Sequence, residues 1–276
     1  VVLPVAASLI KCEKGAELMR KEMVLFDIDG TLMNKEKIIP KSTKQAIKEL
    51  KENGIHMALA TGRPSFLFSE VCEELEIDSY VCFSGQYVVY KGEIIYENAI
   101  PQSEVERLRQ LAATNEFPMI FMTDEEMKST IDGHPHVEAG LSRLKFAYPE
   151  TDPKFINDKK IYQALLFCNE LGEKGMRCQE GYSRFIRWHE FACDVLPGGG
   201  SKAVGIQKLL DASGIDIKNT FAFGDGPNDI EMIELAAVGI AMENGVPELK
   251  AAADYITDHV EKDGVAKGLR HFGLIK

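Results

Sequence analysis

Apolar residues recur along this chain in two patterns: short unbroken runs, and longer stretches in which they return every third or fourth position. Met23–Asp27 (MVLFD), Ile55–Gly62 (IHMALATG) and Tyr80–Gly85 (YVCFSG) are runs of the first kind and predict strands. Between the first two, Ser42–Gly54 (STKQAIKELKENG) places Ala46, Ile47 and Leu50 on one helical face, with a Ser42–Gln45 capping box at its start and Gly54 at its stop. Pro64–Leu75 (PSFLFSEVCEEL) predicts a second helix with proline at a helix-start position. Strands that are apolar throughout, rather than alternating, are buried on both faces. That predicts an α/β fold, a doubly wound parallel sheet between layers of helices.

The pattern then changes. Gln86–Ile100 (QYVVYKGEIIYENAI) reads as a hairpin about Lys91-Gly92. From 100 to 190 strands and helices mix irregularly, with Phe121, Phe146, Tyr148, Tyr162 and Trp188 among them, which predicts an inserted α+β domain. After the glycine-rich crossing Asp194–Ser201 (DVLPGGGS), expected to be a hinge, the alternation of strand and helix resumes. The expected organisation is a discontinuous core, 19–99 with 191–276, carrying an insert at 100–190. Residues 1–18 (VVLPVAASLIKCEKGAEL) are set aside as an expected leader or misplaced start before Met19 or Met23.

Composition narrows the class. With 45% hydrophobic and 27% charged residues in 276, the chain can bury a sizeable core, and roughly two domains is the prior for its length. The net charge of -11 disfavours nucleic-acid or anionic-membrane partners, and no apolar run is long enough to predict a membrane helix. An anionic substrate would need positive charge supplied at its site. The six cysteines (Cys12, Cys72, Cys82, Cys168, Cys178, Cys193) form no C-x-x-C pair and read as reduced thiols of a cytoplasmic protein. A monomer is the default, with a homodimer left open.

Three apolar runs end in polar signatures: Asp27-Ile28-Asp29, Thr61-Gly62-Arg63, and Asp225 followed by GPND. In a doubly wound sheet the carboxyl ends of parallel strands share one edge, where ligands bind. Two carboxylates about 4 Å apart repel by about 4 kcal/mol at an effective dielectric near 20. Asp27 beside Asp225 therefore calls for a counter-ion or a shared proton, and Mg²⁺ with oxygen ligands is the economical choice, which points to phosphate chemistry. The Thr61 hydroxyl and an ammonium, with Lys202 as the candidate, would hold phosphoryl oxygens. Asp27 is the expected nucleophile, and Asp29 the group that protonates the leaving group and then activates water.

The stretches DIDGTL, ATGR, GGGSK and GDGPND, in this order, resemble the four motifs of the haloacid dehalogenase superfamily. The whole arrangement from Met23 onward is similar to its Cof-type phosphatases, which have a Rossmann-like core and a large α+β cap. The resemblance implies that Asp27 is nucleophile and Mg²⁺ ligand, and that Asp29 is the acid/base whose main-chain carbonyl also touches the metal. It implies further that Thr61, Gly62, Lys202 and Asn228 bind phosphate, that Asp225 ligates Mg²⁺, and that Asp229 and Arg63 support the site. The implied partner is a small phosphorylated metabolite, sugar phosphates among the candidates. The chain departs from many relatives at Ser84-Gly85-Gln86, where they carry Asn-Gly-Ala or Asn-Gly-Gln; serine has the shorter reach. A phosphomutase and a non-catalytic phosphate-ester-binding module are the alternative functions.

Competing local readings are weaker. Asp27 does not open a calcium loop, since Leu32 and Ile38 stand where that loop needs glycine and glutamate. His134-Pro135-His136 lacks further ligands and is expected on a solvated loop. Trp188 and His189 are expected on a strand of the inserted domain, in its core, with contact to the substrate as the alternative.

Overall fold

The computed structural model describes residues 22–144, 146–177 and 183–276. The set-aside 1–18 segment, Cys12 and Cys178 lie outside the described residues. Among the described residues, thirteen strands form two sheets: β1 Met23–Phe26, β2 His56–Ala60, β3 Tyr80–Cys82, β4 Tyr87–Tyr90, β5 Glu93–Glu97, β6 Met119–Met122, β7 Met127–Ser129, β8 Gln163–Leu166, β9 Ser183–His189, β10 Ala192–Pro197, β11 Thr220–Gly224, β12 Val238–Ala241 and β13 Tyr255–Ile256.

The larger sheet runs β13-β12-β11-β1-β2-β3-β4-β5. Its first six strands pair in parallel, and β4 and β5 add the expected antiparallel hairpin. Double-sided burial is visible within β1 itself. Val24 and Phe26 join one apolar cluster with Ile47, Leu50 and Leu269, whereas Met23 and Leu25 join another with Ile206 and Leu209. A hydrogen-bonded β1–β11 pair, with the chain continuing in opposite directions from each, makes the gap beyond their carboxyl ends the topological switch point.

The second sheet, β7-β6-β8-β10-β9, is antiparallel throughout. One face is covered by the helices Gln102–Thr114 and Glu170–Met176, which bury Val105, Leu108 and Met176 against Phe121, Ala164 and Leu166. The helix Pro135–Leu144 packs on the other, bringing Val137 and Leu141 into the cluster of Ile120 and Leu165.

Three local expectations are corrected. The helix at 42–54 begins earlier, as Lys41–Glu52, because the Pro40 carbonyl accepts the Lys44 N–H at 3.1 Å and takes the N-cap position. Ser42 thus lies within the first turn and its hydroxyl finds no partner, so there is no capping box. The helix expected from Pro64 is split into a 3₁₀ turn, Ser65–Leu67, and a helix Ser69–Leu75, because Phe68 (φ -142°, ψ 14°) leaves helical conformation between them. Residues 192–197, assigned to the core from sequence, form β10, paired with β8 and β9 in the second sheet.

Candidate functional site

Asp27 continues directly from β1, its N–H donating to the Phe223 carbonyl of β11 at 3.0 Å, and Asp225 follows β11. Adjacent parallel strands therefore deliver two aspartates to one place, and Asp229 joins them: carboxylate oxygens of Asp27, Asp225 and Asp229 lie within 4.8 Å of one another. The cation among them is Lys202. It opens the helix Lys202–Ser213, is 2% exposed, and donates to Asp27 Oδ1 at 2.8 Å, Asp229 Oδ1 at 2.5 Å and the Ala60 carbonyl at 2.9 Å. A lysine at the positive end of a helix is ill placed unless anions face it, and here two do.

Asp229 is fully committed to this scaffold. Its Oδ2 accepts the N–H groups of Asp225 at 3.0 Å and Gly226 at 2.9 Å, shaping the loop that carries Asp225. Asp225 itself accepts from Thr31 Oγ1 at 3.2 Å and from Asn244 Nδ2 at 3.5 Å, and Asn244 also holds the Gly30 carbonyl at 2.7 Å. Thr31 and Asn244 were given no role by sequence reasoning. The available signal for Asn244 was that it too follows an apolar strand of the same sheet, β12. Gly30 is required where it stands: its φ is +81°, and a Cβ there would lie 2.2 Å from Asp225 Oδ2.

The electrostatics of the cluster are out of balance. Three carboxylates face one ammonium, an excess of two negative charges. Burial, then Asp229 and Asp225, push the Asp27 carboxyl well above its usual range despite Lys202. Burial and Asp229 push Asp225 up to about 7. Burial works against the charge of Lys202, but Asp229 and Asp27 outweigh it and raise its pKa. Such a donor set, hard oxygen atoms with surplus negative charge, suits a divalent cation such as Mg²⁺.

Asp29 stands apart from the three-carboxylate cluster. Arg63 grips both of its oxygens, Nε to Oδ2 and Nη2 to Oδ1, each at 2.6 Å, and Lys37 Nζ adds a contact at 2.5 Å. Burial would raise the Asp29 pKa, but the hydrogen bonds and charges of Arg63 and Lys37 hold it below the usual value. Arg63 Nη1 also donates to the Leu67 carbonyl at 3.0 Å, tying the loop after β2 to this pair. Beside Asp29 and Asp225 opens a crevice of about 460 Å³, walled by Lys35, Lys37, Asn34, Asn244 and His259.

The remaining site residues are carried by the loops after β2 and β3, together with Asn228. Thr61 is buried and its hydroxyl accepts the Arg63 N–H at 3.2 Å. After β3 the chain makes a left-handed turn, Phe83, Ser84 and Gly85 having φ of 50°, 54° and 97°. This turn brings Ser84 Oγ to 3.3 Å from where a Cβ on Gly62 would be, with Asn228 Nδ2 at 3.9 Å. Gly62, Ser84 and Asn228 are thereby neighbours. Gly85 rests on the Ser201 backbone so closely that a Cβ would sit 1.9 Å from the Ser201 carbonyl oxygen. The strained turn seats the start of the Lys202 helix.

Elsewhere, His136 stacks on Phe191 with centroids 4.2 Å apart, and the metal-compatible group found among the described residues is the aspartate cluster, without either histidine. Cys72, Cys82, Cys168 and Cys193 are free thiols. Among the described residues no helix is long and apolar enough to cross a membrane.

A family model described as haloacid dehalogenase-like hydrolase matches residues 24–269. YkrA of Bacillus subtilis (strain 168), provisionally named a phosphatase, is 44% identical over 258 residues, covering 94% of this chain and 100% of that protein. A crystal structure of a protein from Geobacillus kaustophilus HTA426 superposes with a TM-score of 0.89 at 44% identity, over 92% of this chain and 99% of that one. The sugar phosphatase BT4131, of subclass IIB, superposes with a TM-score of 0.79 at 33% identity, over 92% of this chain and 100% of that one.

Proposed function

Because the chain belongs to the haloacid dehalogenase-like hydrolases, we propose that it is a Mg²⁺-dependent phosphatase acting on a small phosphorylated metabolite through an aspartyl phosphate on Asp27. The observation that carries this reading is the constellation at the switch point of Asp27 and Asp229, buried and paired with Lys202, with the half-buried Asp225 beside them. When bound, Mg²⁺ held by Asp27, Asp225 and the main-chain carbonyl of Asp29 supplies the positive charge that the three carboxylates and a phosphate ester together require.

The chain's own groups then divide the work. An Asp27 oxygen attacks phosphorus, and the bond from phosphorus to the leaving oxygen breaks. Asp29 gives that oxygen a proton, later taking one from the water that attacks the aspartyl phosphate and releases inorganic phosphate. To do so it must leave the Arg63 fork, since a carboxylate held by two cations is a poor acid. Lys202, Thr61, Asn228 and the Gly62 main chain hold the phosphoryl oxygens where charge develops. Asp229 positions Lys202 and the Asp225 loop. The second sheet acts as a cap that selects the leaving group; Ser65 Oγ donates to the Asp124 carbonyl across the seam at 2.6 Å, linking the cap to the loop after Thr61. Reduced thiols suit a cytoplasmic setting.

The test is phosphate release from a panel of phosphorylated metabolites and p-nitrophenyl phosphate, with Mg²⁺ and with EDTA. Metal-dependent release that disappears in Asp27→Asn is the expected result. Transfer of labelled phosphate between positions of a sugar would assign a mutase instead. Tight Mg²⁺-dependent binding without turnover would assign a binding module.

A further inference from the structure

Among the described residues the chain crosses between the two sheets twice, at 98–101 after β5 and at 198–201 after β10. Both crossings meet one side chain. Gln86 is buried and is the first residue beyond the Ser84 turn. Its Oε1 accepts from Asn98 Nδ2 at 2.7 Å, at the start of the first crossing. Gly200 of the second crossing lies against the same amide, since a Cβ there would be 2.1 Å from Gln86 Oε1 and 2.4 Å from Nε2. Gln86 Nε2 in turn donates to the Ser84 carbonyl at 3.4 Å. None of this is needed to close the β4–β5 hairpin, because the Asn98 N–H already donates to the Gln86 carbonyl at 2.8 Å.

The chain neighbours of Gln86 extend the connection. Ser84 lies beside Gly62 and Asn228, and Gly85 rests on the Ser201 carbonyl next to Lys202. Phe83 and Tyr87, which flank these three residues, pack on the ring of Tyr162 at centroid distances of 5.5 and 5.0 Å. Tyr162 belongs to the cap, directly before β8. Ile161, the residue before it, pairs with Ile100 of the first crossing, its carbonyl accepting the Ile100 N–H at 2.7 Å. Five consecutive residues, 83–87, thus touch the residues proposed to hold phosphate, the start of the Lys202 helix, both crossings and the cap. A buried amide costs stability unless its ends are bonded, and here the bonds to Asn98 and Ser84 fix its orientation. Domain hinges are a few residues at the ends of elements, so a side chain held between two crossings governs how cap and core are seated.

We propose that Gln86, bonded to Asn98 and packed on Gly200, is a positioning residue that fixes the seat of the cap on the core and passes it to Ser84 and Lys202. This rests on the phosphatase reading. Gln86 acts on the phosphoryl group through the Ser84 turn and the start of the Lys202 helix.

The experiment compares the wild type with Gln86→Met, which keeps the length of the side chain and removes its hydrogen bonds. On p-nitrophenyl phosphate and on the best ester of the metabolite panel, kcat is expected to fall at least fivefold with KM within twofold, in enzyme that circular dichroism shows to be folded. A residue that only packs would lower the urea midpoint and leave kcat unchanged. A second readout needs no turnover. Hydrogen exchange at 98–101 and 198–201 is followed with Mg²⁺, before and after addition of orthovanadate as a phosphate analogue. Vanadate should slow exchange at both crossings in the wild type and at neither in Gln86→Met. Should Gln86→Met not fold, Asn98→Ser, which removes the donor to Oε1, is expected to give the same two results with a kcat loss of at least threefold. A smaller loss, a loss carried by KM, slowing that survives in the folded variant, or wild-type exchange that vanadate leaves unchanged would overturn the role of Gln86 while leaving the phosphatase intact. Absence of release from every ester, p-nitrophenyl phosphate included, would overturn the phosphatase reading and this role with it.

Discussion

At residue 30 a methyl group would stand 2.2 Å from Asp225 Oδ2 on a backbone with φ +81°, so Gly30→Ala must displace either the main chain after Asp29 or the Asp225 carboxylate. Misplacing a reacting group by about 1 Å costs on the order of 100-fold in rate. Gly30→Ala is expected to lose about that much kcat/KM on p-nitrophenyl phosphate while remaining folded by circular dichroism; a loss below threefold would contradict the tight packing. Asp194 supplies a pH prediction. Its folded pKa, about 6, is above the unfolded value near 3.8, so the stability it contributes is fully present below about pH 4 and is lost as pH rises through 6. Asp194→Asn lacks that titration. The Tm of the variant minus that of the wild type should increase between pH 4 and pH 7, and a constant difference would show that burial does not perturb this carboxyl.

Among the elements, the decisive join is between the turn after β3 and the helix Lys202–Ser213. Gly85→Ala would force a Cβ to 1.9 Å from the Ser201 carbonyl at φ +97°. Overpacking and the left-handed penalty together predict a loss of roughly 2–5 kcal/mol, readable as a lower urea midpoint, and an unchanged midpoint would contradict the join. Here the limits of the sequence are plain. Strands β1, β2, β3 and β11 were legible because double-sided burial writes an unbroken apolar run, and the face of the first helix was legible from Ala46, Ile47 and Leu50. The Ser42 cap was misread, because which residue caps depends on where Pro40 directs its carbonyl. Arg63 closing on Asp29 and Asn244 reaching Gly30 join distant segments. They depend on sheet register and loop path, which local spacing does not encode.

For the whole molecule, a net charge of -11 makes the concentration of three carboxylates in one buried site more costly, since the surroundings offer little compensating field. A bound divalent cation relieves this and stabilises the folded state by mass action. Mg²⁺ at about 100 times its Kd should add about 2.7 kcal/mol, seen as a rise in Tm that EDTA reverses and that Asp225→Asn largely abolishes. A rise of equal size in the variant would place the metal elsewhere. The measurement that bears most directly on the proposed chemistry is a rapid acid quench of a single turnover with a ³²P-labelled ester, followed by peptide mapping. Label is expected on the peptide containing Asp27, sensitive to hydroxylamine, and absent with Asp27→Asn together with phosphate release; label on another residue, or release by Asp27→Asn at a near-normal rate, would contradict it.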